Sequence, residues 1–533
     1  MRQRKILGAP LWAALSLMFV HALPQNAIAA GQTPEKANLG GPVYVDCSRS
    51  IANPDGTIAR PFTSLNSINN SNAIFLPGAS LLFKRGTTCK GTLSTQSSGT
   101  SASPFTIQDY GDSALAAPLI DGSGNQDAIS MINQQYIEIR NLAVTNQGAA
   151  KARRRGVHFT LTDIGVGNHY VVENMNIHDI RGDNVKDLAG SAGIQFDVTG
   201  SSVPTSYNDV LVQGNTIANV NRSGINMSSA WNCRTSVSCD PTQAGKQKWV
   251  PWTNFRVIGN TVSQTGGDGI VLQYTNEAKV RYNRVSYAAN DAGNGSNAAL
   301  WAWNADNTLF EHNEVDHTYR LDGNNDGVAF DIDYGQTGTI YQYNYSHDNQ
   351  GGFLLICGCG GGTSSAANGI VRYNISQNDQ RRLVFMVGGN NMQIYNNTFY
   401  LAPNSTTALI EETTHVDNAT FTNNIFYTST AQNSLNANFS NTAYSFSNNV
   451  FWPNYQGVAP MSNILASPDT ARPGSGGMTI DTLAGYHLQA SSPAIKTGAI
   501  IKNNGGFDFF GTPVPVGTNP DIGAAQYTSA AGE

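Results

Sequence analysis

A short unit recurs along the chain: two or three alternating residues, an asparagine, then a β-branched or apolar residue two places on. It reads IRNLAV at Asn141, VENMNI at Asn174, VQGNTI at Asn215, VIGNTV at Asn260 and VRYNRV at Asn283. It continues as LFEHNEV at Asn313, YQYNYS at Asn344, VRYNIS at Asn374, IYNNTF at Asn397, FTNNIF at Asn424 and FSNNVF at Asn449. The eleven copies are spaced 33, 41, 45, 23, 30, 31, 30, 23, 27 and 25 residues apart, and in the first two the Asn falls one place earlier. A second segment follows most copies, usually opened by glycine: GIQFD from Gly193, GINMS from Gly224, GIVLQ from Gly269, GVAFDID from Gly327 and GFLLIC from Gly352. These alternate as strands with one buried face do. Units this short cannot bury a core alone and must stack on their neighbours. The uneven spacing predicts an all-β parallel β-helix whose loops bulge from one side. A β-propeller, the main rival, wants a steadier four-stranded repeat. Asn suits the turn because it tolerates left-handed backbone. Stacked Asn side chains can also bond in a ladder from rung to rung.

Other features place the chain outside the cytoplasm. Arg2, Arg4 and Lys5 precede an apolar run from Ile6 to Leu23, and Ala27-Ile28-Ala29 is a cleavage-site pattern, so residues 1–29 read as an export signal. No later stretch is long and apolar enough to span a bilayer. Charged residues make up 13% of the 533 residues and the net charge is −6, which argues against a nucleic-acid partner. The six cysteines are even in number, as an oxidising compartment favours. Cys47 with Cys89 and Cys233 with Cys239 are the expected disulfides; for Cys357 and Cys359 a tight bridge, two thiols and a soft-metal site stay open.

The opening segment VYVDCSRSIANPDGTIARPFTSLNSI, with LPGASLLFKRGTTCKGTL after it, and the ending GGFDFFGTPVPVGTNPDIGAAQ complete the pattern. Together with the repeats, these resemble the right-handed parallel β-helix proteins of the pectate-lyase-like superfamily, over about residues 43 to 527. The resemblance implies a secreted or periplasmic carbohydrate-active protein. The superfamily holds lyases, hydrolases, epimerases and adhesins, so it does not select the reaction. The expected organisation is a cap with the first rungs over 43–125, the coil over 126–455 and a C-terminal segment over 456–533.

Strand alternation then locates chemistry. With Ile194, Ile225, Ile270, Leu300, Val328, Phe353 and Leu383 aligned inward, one outward column reads Gln195, Asn226, Val271, Trp301, Ala329, Leu354, Val384. The next reads Asp197, Ser228, Gln273, Trp303, Asp331, Ile356, Met386, with Asp333 one step beyond. Trp301, Trp303, Gln273, Asp331 and Asp333 therefore form one patch, where indoles can cover sugar faces and carboxylates can bond hydroxyls. On the strand after each turn, Asp316 and His347 are one rung apart, which makes His347 a proton-transfer candidate. His312 and His317 flank Asp316 and are expected to point away from it. Tyr343, Tyr345, Arg381 and Arg382 complete the expected substrate contacts, with Arg320 nearby. Asp322, Asn324 and Asp326 match the spacing of a calcium loop, the single cofactor expectation. Lys151, Arg153, Arg154 and Arg155 read as a solvated charge run.

Hydrolysis needs two carboxylates flanking the bond, and Asp316, Asp322, Asp326, Asp331 and Asp333 supply them. β-Elimination on a uronate polymer would instead use His347, Tyr343 or Tyr345 with Arg381, Arg382 or calcium. A non-catalytic carbohydrate-binding protein would show an evenly polar outer face. The expectation is a monomeric secreted enzyme acting on a polysaccharide or oligosaccharide, with hydrolysis favoured over elimination because acids outnumber bases in the patch.

Overall fold

A computed structural model describes residues 38–70, 74–186, 189–291, 295–321, 325–359, 365–403, 405–428, 435–436, 444–453 and 462–529. The export segment lies outside these residues, as do Asp322 and Asn324. Among the described residues three long parallel sheets, of 13, 13 and 15 strands, run the length of a coil. Most coils give one strand to each sheet. One representative coil contributes Ala298–Trp303, Leu309–Glu311 and Glu314–Asp316. No helix among the described residues is long and apolar enough to cross a membrane. Cys47–Cys89 and Cys233–Cys239 are bonded as expected, and Cys357 is bonded to Cys359, which selects the tight bridge.

The asparagine ladder forms from Asn215 to Asn463. At each rung the backbone N–H and the side-chain Nδ2 both donate to Oδ1 of the next asparagine, at 2.8–3.1 Å. Nδ2 also caps a backbone carbonyl, for example Phe310 O from Asn344 at 3.0 Å. The left-handed residue is the one before the ladder asparagine, not the asparagine itself. Gly214, Tyr282, His312, Tyr343 and Tyr373 take φ of 63°, 57°, 54°, 57° and 50°. This explains the early position in the first two copies. Asn141 and Asn174 occupy the left-handed place, at φ 58° and 53°, and stand outside the ladder. In the second of those rungs the ladder place is Met175, whose N–H donates to Asn215 Oδ1 at 2.9 Å.

The inner face of the sheet that carries the tryptophans stacks Ile194, Ile225, Ile270, Leu300, Phe330, Leu354, Val384 and Ile410 in register. All are fully buried. Here the expected alignment slips. The crowded corner place held by Gly193, Gly224 and Gly269 passes to Ala299 and Ala329. Gly327, at φ 74°, precedes its strand Val328–Ile332, whereas Gly352, at φ 120°, opens the strand Gly352–Cys357 and pairs with Val328. A glycine opening is therefore not a register mark from Gly327 onward. Ala329, Leu354, Ile356, Val384 and Met386 face the core, while Val328, Leu355 and Phe385 join Trp301 in an outer apolar cluster. Trp301 consequently pairs with Asp331, and Asp331 with Leu355.

Candidate active site

Trp301 and Trp303 lie on the strand Ala298–Trp303, and Asp331 on the next, Val328–Ile332. Register puts Asp331 beside Trp301; one step past the last pair, Asp333 falls beside Trp303. A cavity of about 380 Å³ opens over this pair of rungs, lined by both indoles, Gln273, Asn226, Asp333 and Tyr334. Lys186, Arg222 and Asp268 close its other side. These last three come from loops and strand openings. Their one visible signal was Asp268 standing where the next rungs have Ala298 and Val328.

The two indoles differ in exposure. Trp301 is 8% exposed, packs with Val271, Ala298 and Val328, and donates from Nε1 to Asp268 Oδ1 at 3.1 Å. Asp268 also accepts from Ala298 N and pairs with Arg222, so its oxygens are occupied. Trp303 is half-buried, edge-on to Tyr274 and Tyr334 with centroids 5.7 and 5.6 Å away. We expect Trp301→Ala to cost about 3 kcal/mol of folding stability as a large buried truncation. Trp303→Ala should chiefly weaken sugar binding, by about 1–3 kcal/mol. Denaturant titration and calorimetry on both variants separate the two effects.

The carboxylates are set apart by their surroundings. Asp331 is 5% exposed, not solvent-facing as alternation implied, and its Oδ1 has no hydrogen-bond partner among the described residues. Burial, with the charges of Asp333 and Asp326 beside it, holds its pKa far above the usual carboxylate range. Asp333 opens to the cavity. Burial pushes its pKa up to about 7, against the opposing pull of the Tyr334 N–H at 2.8 Å and the Lys186 ammonium. Asp326 is also raised by burial, but Lys186, Arg382 and a hydrogen bond with Ser296 pull it back toward ionisation. Lys186 and Arg382 make this a poor place for a divalent cation. With Asp322 and Asn324 outside the described residues, the calcium expectation has no support here.

Several expected site residues lie elsewhere. Asp316 and His347 are register partners as expected, but on a different sheet from the tryptophans. They do not bond each other. His317 Nδ1 pairs with Asp316 Oδ1 at 2.8 Å and His347 Nδ1 with Asp348 Oδ2 at 2.9 Å. The left-handed backbone at His317 and Asp348, φ 54° and 57°, breaks the alternation that was to turn them away. Arg284 bridges Glu314 and Asp316, and the C-terminal segment covers this face, with Ile480 N donating to Glu314 at 2.8 Å. Tyr345 and Tyr343 donate their hydroxyls to Gly477 O and Phe507 O of the same segment, at 3.0 and 3.1 Å. Tyr343 and Tyr345 are thus docking contacts, and Asp316 and His347 are buried on the same face. Arg382 is buried under the Phe385 ring, 3.5 Å from its centroid, and pairs with Glu411, its pKa lowered by burial to about 10. Arg381 pairs with Glu411 on the surface and lines a separate cavity with Arg320.

No protein-family model matches the chain. A lacto-N-biosidase from Bifidobacterium longum subsp. longum is 26% identical over 632 aligned positions that take in 96% of this chain. The chain spans 38% of the length of that relative. Among solved structures, the native GH136 lacto-N-biosidase from Eubacterium ramulus superposes with a TM-score of 0.60 at 24% identity, covering 74% of this chain and 68% of that one. XylC in complex with xylose superposes with a TM-score of 0.50 at 10% identity, covering 92% and 98%. These likenesses show the fold: the chain is a right-handed parallel β-helix, as its resemblance to the pectate-lyase-like superfamily implied.

Proposed function

We propose that this chain is a secreted glycoside hydrolase that cleaves an oligosaccharide in the cavity between Trp303 and Asp333, with lacto-N-biosides as the first substrate class to try. The observation that carries the reading is Asp333: a carboxyl open to an indole-lined cavity and poised near neutral pH by burial. Such a group can protonate a leaving glycosidic oxygen. The second carboxylate must be ionised. Asp268 is fully bonded and Asp331 is held neutral; Asp326 stands behind the cavity-lining Lys186, which with Arg382 favours its ionised form against the burial that raises its pKa, and we assign it the role of base or nucleophile. Asp331 acts as the neutral neighbour whose proton keeps Asp333 from facing a second charge. The relative named lacto-N-biosidase, aligned along nearly the whole of this chain, supports the substrate class.

Elimination loses its support, because His347, Tyr343 and Tyr345 lie away from the sheet of the indoles, Arg381 lines a separate cavity, and Arg382 is buried under Phe385 and paired with Glu411. The test is incubation with an aryl lacto-N-bioside and a panel of neutral and uronate glycans. Release of the aryl alcohol with new reducing ends is expected. Turnover confined to uronate polymers, with unsaturated products, sinks the proposal.

A further inference from the structure

A polar track runs along the outer face of the site sheet and ends in the cavity. Gln273 Nε2 donates to Asn226 Oδ1 at 3.0 Å, and Asn226 Nδ2 donates to Gln195 Oε1 at 3.1 Å. Gln195 Nε2 donates to Asp197 Oδ1 at 2.5 Å. The track is covered: Gln195, Asn226 and Gln273 are 0%, 6% and 5% exposed. At its far end Asp197 also accepts from Ser228 Oγ at 2.7 Å and faces His158 Nε2 at 2.8 Å and Arg155 Nη1 at 3.3 Å. Arg155 Nε and His158 Nδ1 in turn meet Asp127, at 2.6 and 3.2 Å. Arg155 is therefore a buried structural cation and not part of a solvated run.

An amide can point either way, and its orientation is decided by the hydrogen bonds around it. Asp197 is held as a carboxylate by a guanidinium and an imidazole, so it accepts only. Gln195 has to offer it the NH2 group, which leaves the Gln195 carbonyl for Asn226. Asn226 must then donate to Gln195 and accept from Gln273. At the last step Gln273 has spent its NH2 group on Asn226. Its Oε1 takes no hydrogen bond from any described residue and stands at the cavity that Gln273 lines.

We infer that Asp197, seated by Arg155 and His158, sets the polarity of the Gln195–Asn226–Gln273 ladder, and so makes Gln273 an obligate acceptor for a hydroxyl or amide N–H of the bound sugar. The inference rests on reading the cavity as a sugar site. A sugar that offers only an acceptor at this place is rejected, because the Gln273 carbonyl cannot turn without stranding a buried donor. Asp197 and Gln195 are positioning residues; Gln273 is the ladder member whose remaining acceptor meets the substrate.

Three variants test this on an aryl lacto-N-bioside. Gln273→Met should raise KM by about three- to tenfold, the scale of one neutral hydrogen bond, with kcat within about twofold. Gln195→Leu removes the acceptor that orients Asn226 and should raise KM to a similar degree. Gln195→Glu should restore the wild-type KM, since a protonated glutamic acid there donates to Asp197 and accepts from Asn226. A folded Gln195→Leu with unchanged KM, or a Gln195→Glu that behaves like Gln195→Leu, overturns the inference. If Gln195→Leu does not fold, unchanged KM in Gln273→Met overturns it instead. Neutron diffraction from the deuterated wild-type protein reads the same polarity without substrate. Deuterons on the Gln273 nitrogen facing Asn226 support the ladder, and the reverse orientation contradicts it. If the wild-type protein leaves the glycoside intact, the proposed function fails, and the neutron result still decides the ladder.

Discussion

Asp333→Asn should lower kcat by at least about a hundredfold, the usual scale for removing a general acid, while the protein still folds and binds sugar. The loss follows from the site's geometry. Asp333 alone among Asp326, Asp331 and Asp333 lines the cavity, beside Trp303, and burial puts its titration near 7. In the wild type, turnover should fall as pH rises through about 7, because the acid must be protonated to act. Stability carries the same signature. The folded-state pKa lies above the ordinary aspartate value of 3.8, so this group's contribution is present in full below about 4 and lost as pH rises through about 7. The Asn variant lacks that loss, so its melting temperature relative to wild type should be more favourable at alkaline than at acid pH. Asp326→Asn should reduce turnover on a similar scale. An Asp333→Asn variant with near-normal kcat and an unchanged pH profile removes Asp333 from the chemistry.

The second large effect is on the scaffold. Asn344→Ala should cost about 3–5 kcal/mol, because it strands several buried partners at about 1–3 kcal/mol each. Asn313 loses the acceptor for its N–H and for one Nδ2 hydrogen, at 2.9 and 3.0 Å, and Phe310 O loses its donor. None of these groups can reach water, since Asn313 and Asn344 are fully buried. Asn141→Gly is the matched control. It changes the same letter of the repeat, but at a left-handed position outside the ladder, where glycine is tolerated. Its stability should stay within about 0.5 kcal/mol of wild type. Denaturant midpoints measure both. Equal losses in the two variants would mean that the asparagines serve the turn and not a ladder.

That contrast also shows what the sequence made legible. Period and alternation were enough for the coil, the stacking of asparagines and the meeting of Trp301, Trp303, Asp331 and Asp333, because each depends on backbone geometry repeated many times. What depended on a single local exception was lost. Gly327 looks like a strand opening but sits at a left-handed corner before its strand, so the partner of Trp301 came out one step wrong. His317 and Asp348 take left-handed backbone at the strand end, which exchanged the partners expected for Asp316 and His347. Arg155 was hidden in a basic run although it begins a strand, and its two carboxylate partners come from different rungs. Lys186, Arg222 and Asp268 reach the cavity from loops and strand openings, where no repeat marks them. The face occupied by His347, Tyr343 and Tyr345 was read as open, because the C-terminal segment that covers it carries none of the repeat.

As a hydrolase of the kind proposed, this β-helix would add water across a glycosidic bond in the cavity of Trp303 and Asp333. Cleavage of a lacto-N-bioside in heavy-oxygen water, followed by mass spectrometry of the products, tests it most directly. Wild-type protein should place one heavy oxygen at the new reducing end, and Asp333→Asn should yield at least about a hundredfold less product. An unsaturated product without heavy oxygen, or labelled product formed equally fast by the variant, would contradict it.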